Sequence, residues 1–150
     1  MNPILKYGLI AVVVIAAILF FSRFQGSRSS DFNEMMQSND NPLPDCPDSP
    51  NCVRISVPFA QPTSRIFFLA TQAVEDLQPV EFSSSQSDLT ATAVFEIPVF
   101  GFRDDLQMKI EGEDRNHVLH IRSASRTGYS DLGVNRRRVR TIIKSIREKL

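Results

Sequence analysis

Arg122, Ser123, Ser125, Arg126, Asp131, Asn135 and Arg136 stand within fifteen residues of one another. An arginine offers a planar fork of donors that fits the oxygens of a carboxylate or a phosphate. The stretch from Arg122 to Val139 holds five arginines, three serines and two glycines. A connection that only turns the chain needs a Gly or a Pro, not this density of hydrogen-bonding groups. Arg136 and Arg137 also sit where a helix is expected to begin, and the dipole is already positive there. A negative group therefore belongs nearby, supplied by the protein or brought by a ligand. Exposed N–H groups at the same helix start would favour an anion too.

The residues before the helix read as a strand, so side chains alternate between faces. Arg122, Ala124 and Arg126 share one face, and Ser123 and Ser125 share the other. Candidate counter-charges are Asp104 and Asp105 in Gly101-Phe-Arg-Asp-Asp. Paired carboxylates can share a proton, bind a metal or hold arginines. Neighbours on a strand point to opposite faces, so the two aspartates are not expected to grip one metal together, and no metal site is assigned. Two readings stay open. Arg122, Arg126 and Arg136 bind an anionic ligand with Ser123, Ser125, Asp131 and Asn135, while Asp104 and Asp105 support them. Alternatively the same groups form an internal salt-bridge network.

Catalysis has less behind it. A serine nucleophile needs a base within hydrogen-bond reach, and the two histidines, His117 and His120, project to opposite faces of one strand. No Gly-x-Ser-x-Gly elbow is present. A hydrolase using Asp104 or Asp105 as base is the weaker alternative, and no motif calls for a cofactor.

The elements that must carry these residues follow from periodicity. Thr63 or Ser64 is expected to cap a helix to Leu77, with Ile66, Phe67, Ala70, Ala73, Val74 and Leu77 on one face and Pro79 as the stop. Short strand 80–83 and a Ser-rich turn follow. Leu89 to Val99 alternates as a strand that Pro98 restricts to an edge, an end or a bulge. Leu106, Met108 and Ile110 mark a third strand, and 118–125 a fourth. Asn135 is read as the N-cap of a last helix whose apolar face is Val139, Ile142, Ile143, Ile146 and Leu150. The expected fold class is α+β, a two-layer domain with a four-stranded antiparallel sheet and both helices on one face.

The amino terminus sets the context. Ile4 to Ser22 is a run of 19 residues broken only by Lys6, close to the roughly 20 that cross hydrocarbon as a helix. Phe20-Phe21-Ser22-Arg23-Phe24 lacks a small-x-small cleavage pattern, so residues 1–24 read as an uncleaved transmembrane signal-anchor, with a cleaved signal as the rival. Positive charges flank it almost equally. Residues 25–43 are polar and suit a flexible tether to a domain over 44–150. Cys46 and Cys52, in Cys-Pro-Asp-Ser-Pro-Asn-Cys, are the only cysteines. A disulfide is favoured over a zinc site, which lacks partners at matching spacing. Disulfides persist in oxidising compartments, so the expected location is a single-pass protein of the cytoplasmic membrane with its domain on the periplasmic or equivalent outer side. Net charge is zero, and export argues against nucleic acid. Expected partners are an anionic small molecule, a lipid headgroup or another membrane protein. Leu132 to Leu150 holds seven Arg and Lys against one Glu.

Cys46-Pro-Asp-Ser-Pro-Asn-Cys52, Gly101-Phe-Arg-Asp-Asp105 and Arg122-Ser-Ala-Ser-Arg-x-Gly-x-x-Asp-Leu-Gly-Val-Asn-Arg136 occur in an order that resembles the family called domain of unknown function 1499. The resemblance covers about Pro44 to Leu150. It implies a domain commonly placed behind an export or membrane-targeting segment, and it brings no activity. Asp104, Asp105, Arg122, Ser123, Ser125, Arg126, Gly128, Asp131, Gly133, Asn135 and Arg136 match the family's signature, which serves either a site or a fold-defining network.

Overall fold

The computed structural model of the chain describes residues 40–97, 101–113 and 116–150. The expected signal-anchor, almost all of the tether, and Pro98 and Val99 of the second predicted strand lie outside them. No helix among the described residues is long and apolar enough to cross a membrane.

Strand β1 spans Cys52–Phe59 and is followed by helix α1, Thr63–Glu75. Strands β2 (Glu81–Ser85), β3 (Thr90–Ile97), β4 (Phe102–Glu113) and β5 (Asn116–Ser125) come next, and helix α2, Val134–Glu148, closes the chain. All neighbouring strands are antiparallel, in the order β1-β5-β4-β3-β2. The fold class is α+β as expected, but the sheet has five strands rather than four. The extra strand is β1. Val53, Ile55, Val57 and Phe59 alternate inward and are buried. Pro58 is tolerated because β1 is an edge strand.

Consecutive strands β3, β4 and β5 bury Ala91, Ala93 and Phe95, then Leu106, Met108 and Ile110, then Leu119 and Ile121 on one face. Helix α2 lies against β5 and β1, and α1 packs on α2. Val139, Ile142, Ile143 and Ile146 of α2 and Ile66, Phe67, Leu69, Ala70, Ala73 and Val74 of α1 complete the core. Fully burying one such aliphatic side chain contributes roughly 1.5–3 kcal/mol.

Both expected helix caps are corrected. Neither Thr63 nor Ser64 caps α1; Pro62 holds the N-cap position without a side-chain bond. Gly133, in the left-handed region at φ 77°, holds that position in α2. Asn135 lies one residue inside α2 and is 1% exposed, because its amide is needed in the interior.

The chain is tied to the sheet before β1 begins. Asn41 is buried and its side chain donates to Ile55 O at 2.8 Å. Arg54 of β1 donates to Leu43 O at 3.0 Å and also to Asn41 O. The Cys46–Cys52 disulfide is present.

Candidate functional site

Strand β5 carries Arg122, Ser123 and Ser125, and its alternation separates them. Ser123 and Ser125 face α2, whereas Arg122 points to the opposite face with His120 and Ala124.

On the α2 side the groups close into a network. Asp104 of β4 is fully buried and pairs with Arg138 of α2 at 2.8 Å. Its other oxygen accepts from Ser125 Oγ at 2.6 Å. Arg138 also donates to Ser123 Oγ at 3.0 Å and to Asn135 Oδ1 at 2.6 Å. Its guanidinium lies 4.3 Å from the centre of the Phe95 ring, a stacking contact that an ammonium makes less well. Ser123 Oγ donates to Asn135 Oδ1 at 2.5 Å. The Asn135 amide donates to Asn51 O at 3.1 Å, Ser125 Oγ at 3.0 Å and Asp131 Oδ2 at 2.9 Å.

The negative group expected at the helix start is Asp131. It accepts from Gly133 N–H at 2.9 Å and from Asn135 N–H at 2.7 Å, two of the donors a helix leaves unmatched at its first turn. Partial burial works against its charge, but these backbone bonds and the Asn135 amide outweigh it and hold the carboxyl below its ordinary range. Asn51, 5% exposed beside the disulfide, donates to Gly128 O at 2.5 Å and fixes the loop between β5 and α2.

The opposite face is built differently. Arg54 of β1, Arg122 of β5 and Gln107 of β4 occupy directly paired positions in one row across the sheet. Like charges directly opposite each other destabilise a strand pair. Arg54 finds Asp45 at 3.1 Å, a carboxylate whose side chain is 90% exposed. Arg122 has no ion pair among the described residues, and its Nε is buried without a partner. Gln107 Oε1 beside it is also buried and has no partner among the described residues. In the next row His120 Nδ1 meets Ser56 Oγ at 2.9 Å, with Lys109 at the paired position on β4. Burial lowers the His120 pKa, Glu111 works against that shift, and Lys109 and Arg54 add to it.

Arg126 reaches Asp105 with two nitrogens at 2.7 and 3.0 Å, and this hydrogen-bonded carboxylate raises its already high pKa. Arg136 is exposed in the first turn of α2. The predicted ligand set is thus not one pocket. Ser123, Ser125, Asp131 and Asn135 join Asp104 inside, Arg122 stands on the other face, and Arg126 and Asp105 satisfy each other. Asp104 and Asp105 do point to opposite faces, as strand geometry demands, and His117 and His120 do the same. His117 Nδ1 lies 2.7 Å from Gln61 O.

Arg138, Asn51, Arg54 and Gln107 were missed by sequence reasoning. Arg138 stands three residues after Asn135, on the same side of the helix, and that spacing was the available signal. No such signal marks Arg54, whose relation to Arg122 needs the strand pairing. Among the described residues no group of three or more His, Cys, Asp or Glu is placed to hold a metal ion.

The family model described as "Protein of unknown function (DUF1499)" matches residues 42–146. The chain belongs to the DUF1499 family. The match contains β1 to β5, α1 and α2 as far as Ile146, and with them the site residues described above. No curated protein matches this DUF1499 chain. Among solved structures it is similar to protein CV1439 from Chromobacterium violaceum, at 10% identity and a TM-score of 0.39 over 65% of this chain and 95% of that one. It is also similar to DynU16, a putative protein in the dynemicin biosynthetic locus, at 13% identity and a TM-score of 0.41 over 68% of this chain and 47% of that one. For TTHA0849 from Thermus thermophilus the values are 12% and 0.35, over 65% and 94%. None of these likenesses speaks to ligand or activity.

Proposed function

We propose that this DUF1499 protein is a membrane-tethered, non-catalytic domain on the outer side of the cytoplasmic membrane. It binds an anionic group, a carboxylate or a phosphate, at Arg122 on the sheet face away from α2. The observation that carries the reading is the buried, unpartnered Nε of Arg122, directly opposite Arg54. A buried donor left unmatched costs about 1–3 kcal/mol, and an anion would satisfy it while relieving the Arg54–Arg122 repulsion. Gln107 Oε1 offers an acceptor to a hydroxyl on the same ligand. Support for the tether is the apolar run Ile4 to Ser22 together with the disulfide, which suits an exported domain.

The structural alternative is favoured for the other signature residues. Asp104, Ser123, Ser125, Asp131, Asn135 and Arg138 are joined in one hydrogen-bonded network, and none of them has a buried side-chain nitrogen or oxygen left without a partner among the described residues. Thermal unfolding of the full chain in detergent micelles, against inorganic phosphate, citrate and glycerol phosphate, tests the binding reading. Binding to the native state raises the midpoint, by the equivalent of about 2.7 kcal/mol at a hundredfold excess over Kd. The rise should vanish in Arg122→Ala and persist in Arg65→Ala. No rise with any anion, or one indifferent to Arg122, would sink this reading.

A further inference from the structure

A second surface lies at the end of the molecule where β5 passes into α2. Tyr129 is 74% exposed and Leu132 86% exposed. Phe102, 49% exposed, begins β4 at that same end, where Arg126 N–H bonds Arg103 O at 2.9 Å. These are half of the large exposed apolar side chains among the described residues, all at the same end of the sheet.

Leu132 is not presented by a slack loop. Its backbone sits in the left-handed region at φ 53°, which a bulky side chain rarely adopts. Arg137 donates to Leu132 O at 2.8 Å, and Asp131 grips Gly133 on the following N–H. The backbone is thus fixed so that an aliphatic side chain stands in water. Cationic residues adjoin it: Arg136, Arg137 and Arg140 are all exposed in the first two turns of α2. Tyrosine is enriched at membrane–water interfaces, and cations near an anionic leaflet are attracted to it.

The occupant follows from charge and from reach. The described domain is entered at Asp40, beside Asn41, which is bonded to Ile55 only three residues from the end of β1 nearest this loop. Between Ser22 and Asp40 lie 17 residues, and a chain of that length extends at most roughly 60 Å. A bilayer holding the apolar run Ile4 to Ser22 is therefore within reach of the loop.

We infer that the Tyr129–Leu132 loop and the basic start of α2 dock on the headgroup region of an anionic bilayer, Tyr129 and Leu132 entering the interface and the arginines meeting lipid phosphates. The inference rests on the membrane-tether half of the proposed function and is independent of Arg122. The chain contains no tryptophan, so Tyr129→Trp gives a single reporter. The full-length variant is reconstituted into vesicles of phosphatidylcholine, with or without phosphatidylglycerol, and its attachment is checked by flotation. Docking predicts blue-shifted emission in the anionic vesicles and quenching by brominated acyl chains several-fold stronger than for Phe68→Trp, a control on α1. Arg136→Gln/Arg137→Gln/Arg140→Gln should abolish both effects while flotation persists. Water-like emission in a floating chain overturns docking alone and turns the loop toward a protein partner. Equal quenching at both positions, or insertion that ignores the arginines, also overturns it. A chain that does not float overturns docking and the tether together.

Discussion

Asp104 and Arg138 face each other across the join of β4 and α2, 2.8 Å apart, the carboxylate with no exposed surface and the guanidinium side chain 9% exposed. Their remaining side-chain contacts lead to Ser123, Ser125, Asn135 and the Phe95 ring. Charges taken out of water contribute net stability only when their remaining polar atoms are matched, and neither side chain has a buried nitrogen or oxygen without a partner among the described residues. The pair therefore specifies how α2 seats on the sheet.

Removing one partner should be far worse than removing both. Asp104→Asn leaves Arg138 buried opposite a neutral amide and is expected to destabilise the protein by roughly 3–5 kcal/mol. Replacing both, as Asp104→Leu with Arg138→Met, should recover much of that loss. Denaturant unfolding of the two single variants and the double variant gives the coupling directly. Additive single effects would show that the pair does not act as a unit.

Asp131 gives the fold an acid-sensitive point. Its folded pKa is lower than its ordinary value of 3.8, so the unfolded chain takes up the proton first. Its contribution is complete above the ordinary value and is lost as the pH falls from there through the lowered folded pKa. Asp131→Asn should flatten that part of the stability–pH curve. At neutral pH it should cost about 1 kcal/mol, the usual worth of a side chain satisfying a helix start. An acid limb unchanged by Asp131→Asn would contradict this.

The disulfide closes a short loop, with Cys46 and Cys52 six residues apart. Chain entropy alone gives such a loop about 2 kcal/mol. The bridge also steadies Asn51, whose carbonyl and side chain meet Asn135 and Gly128. Cys46→Ser/Cys52→Ser should therefore lose about 2 kcal/mol or more, together with faster amide hydrogen exchange around Gly128 and Asn135. A loss of stability without any local change near Asn135 would confine the bridge to its entropic effect.

Much of the sheet was legible because a strand with one buried face writes its own period. Leu106, Met108 and Ile110 show it plainly, and so do Val139, Ile142 and Ile146 for the helix. The same period runs through Val53, Ile55 and Val57, yet Pro58 and the prolines of the Cys loop mask it, and no strand is expected there. That omission hides the site as well. Arg122 is unusual only because Arg54 stands opposite it, and strand pairing joins residues 68 apart. Inside the fold, Arg136 and Arg137 draw attention by lying near the helix start, whereas helical phase sends Arg138 to Asp104. Residue type announces a polar network; phase and register decide its membership.

His120 offers a test of the face away from α2 that does not need a ligand. The residue is 4% exposed and its ring sits among Ser56, Lys109, Glu111 and Arg54. Burial lowers its folded pKa below the ordinary 6.5, against the opposing pull of Glu111. The unfolded chain therefore binds this proton more readily than the folded one. Stability is full above about pH 6.5 and falls as the pH drops from there through the lowered folded pKa. His120→Gln should remove that slope while Asp131 continues to govern the more acidic limb. Because Arg54 contributes to the shift, an anion bound between Arg54 and Arg122 should weaken it and raise the His120 pKa. Following the His120 ring protons by NMR against pH, with and without phosphate, measures both effects. A midpoint that phosphate does not move would place the anion away from Arg54, and a midpoint at or above 6.5 without phosphate would contradict the effect of burial.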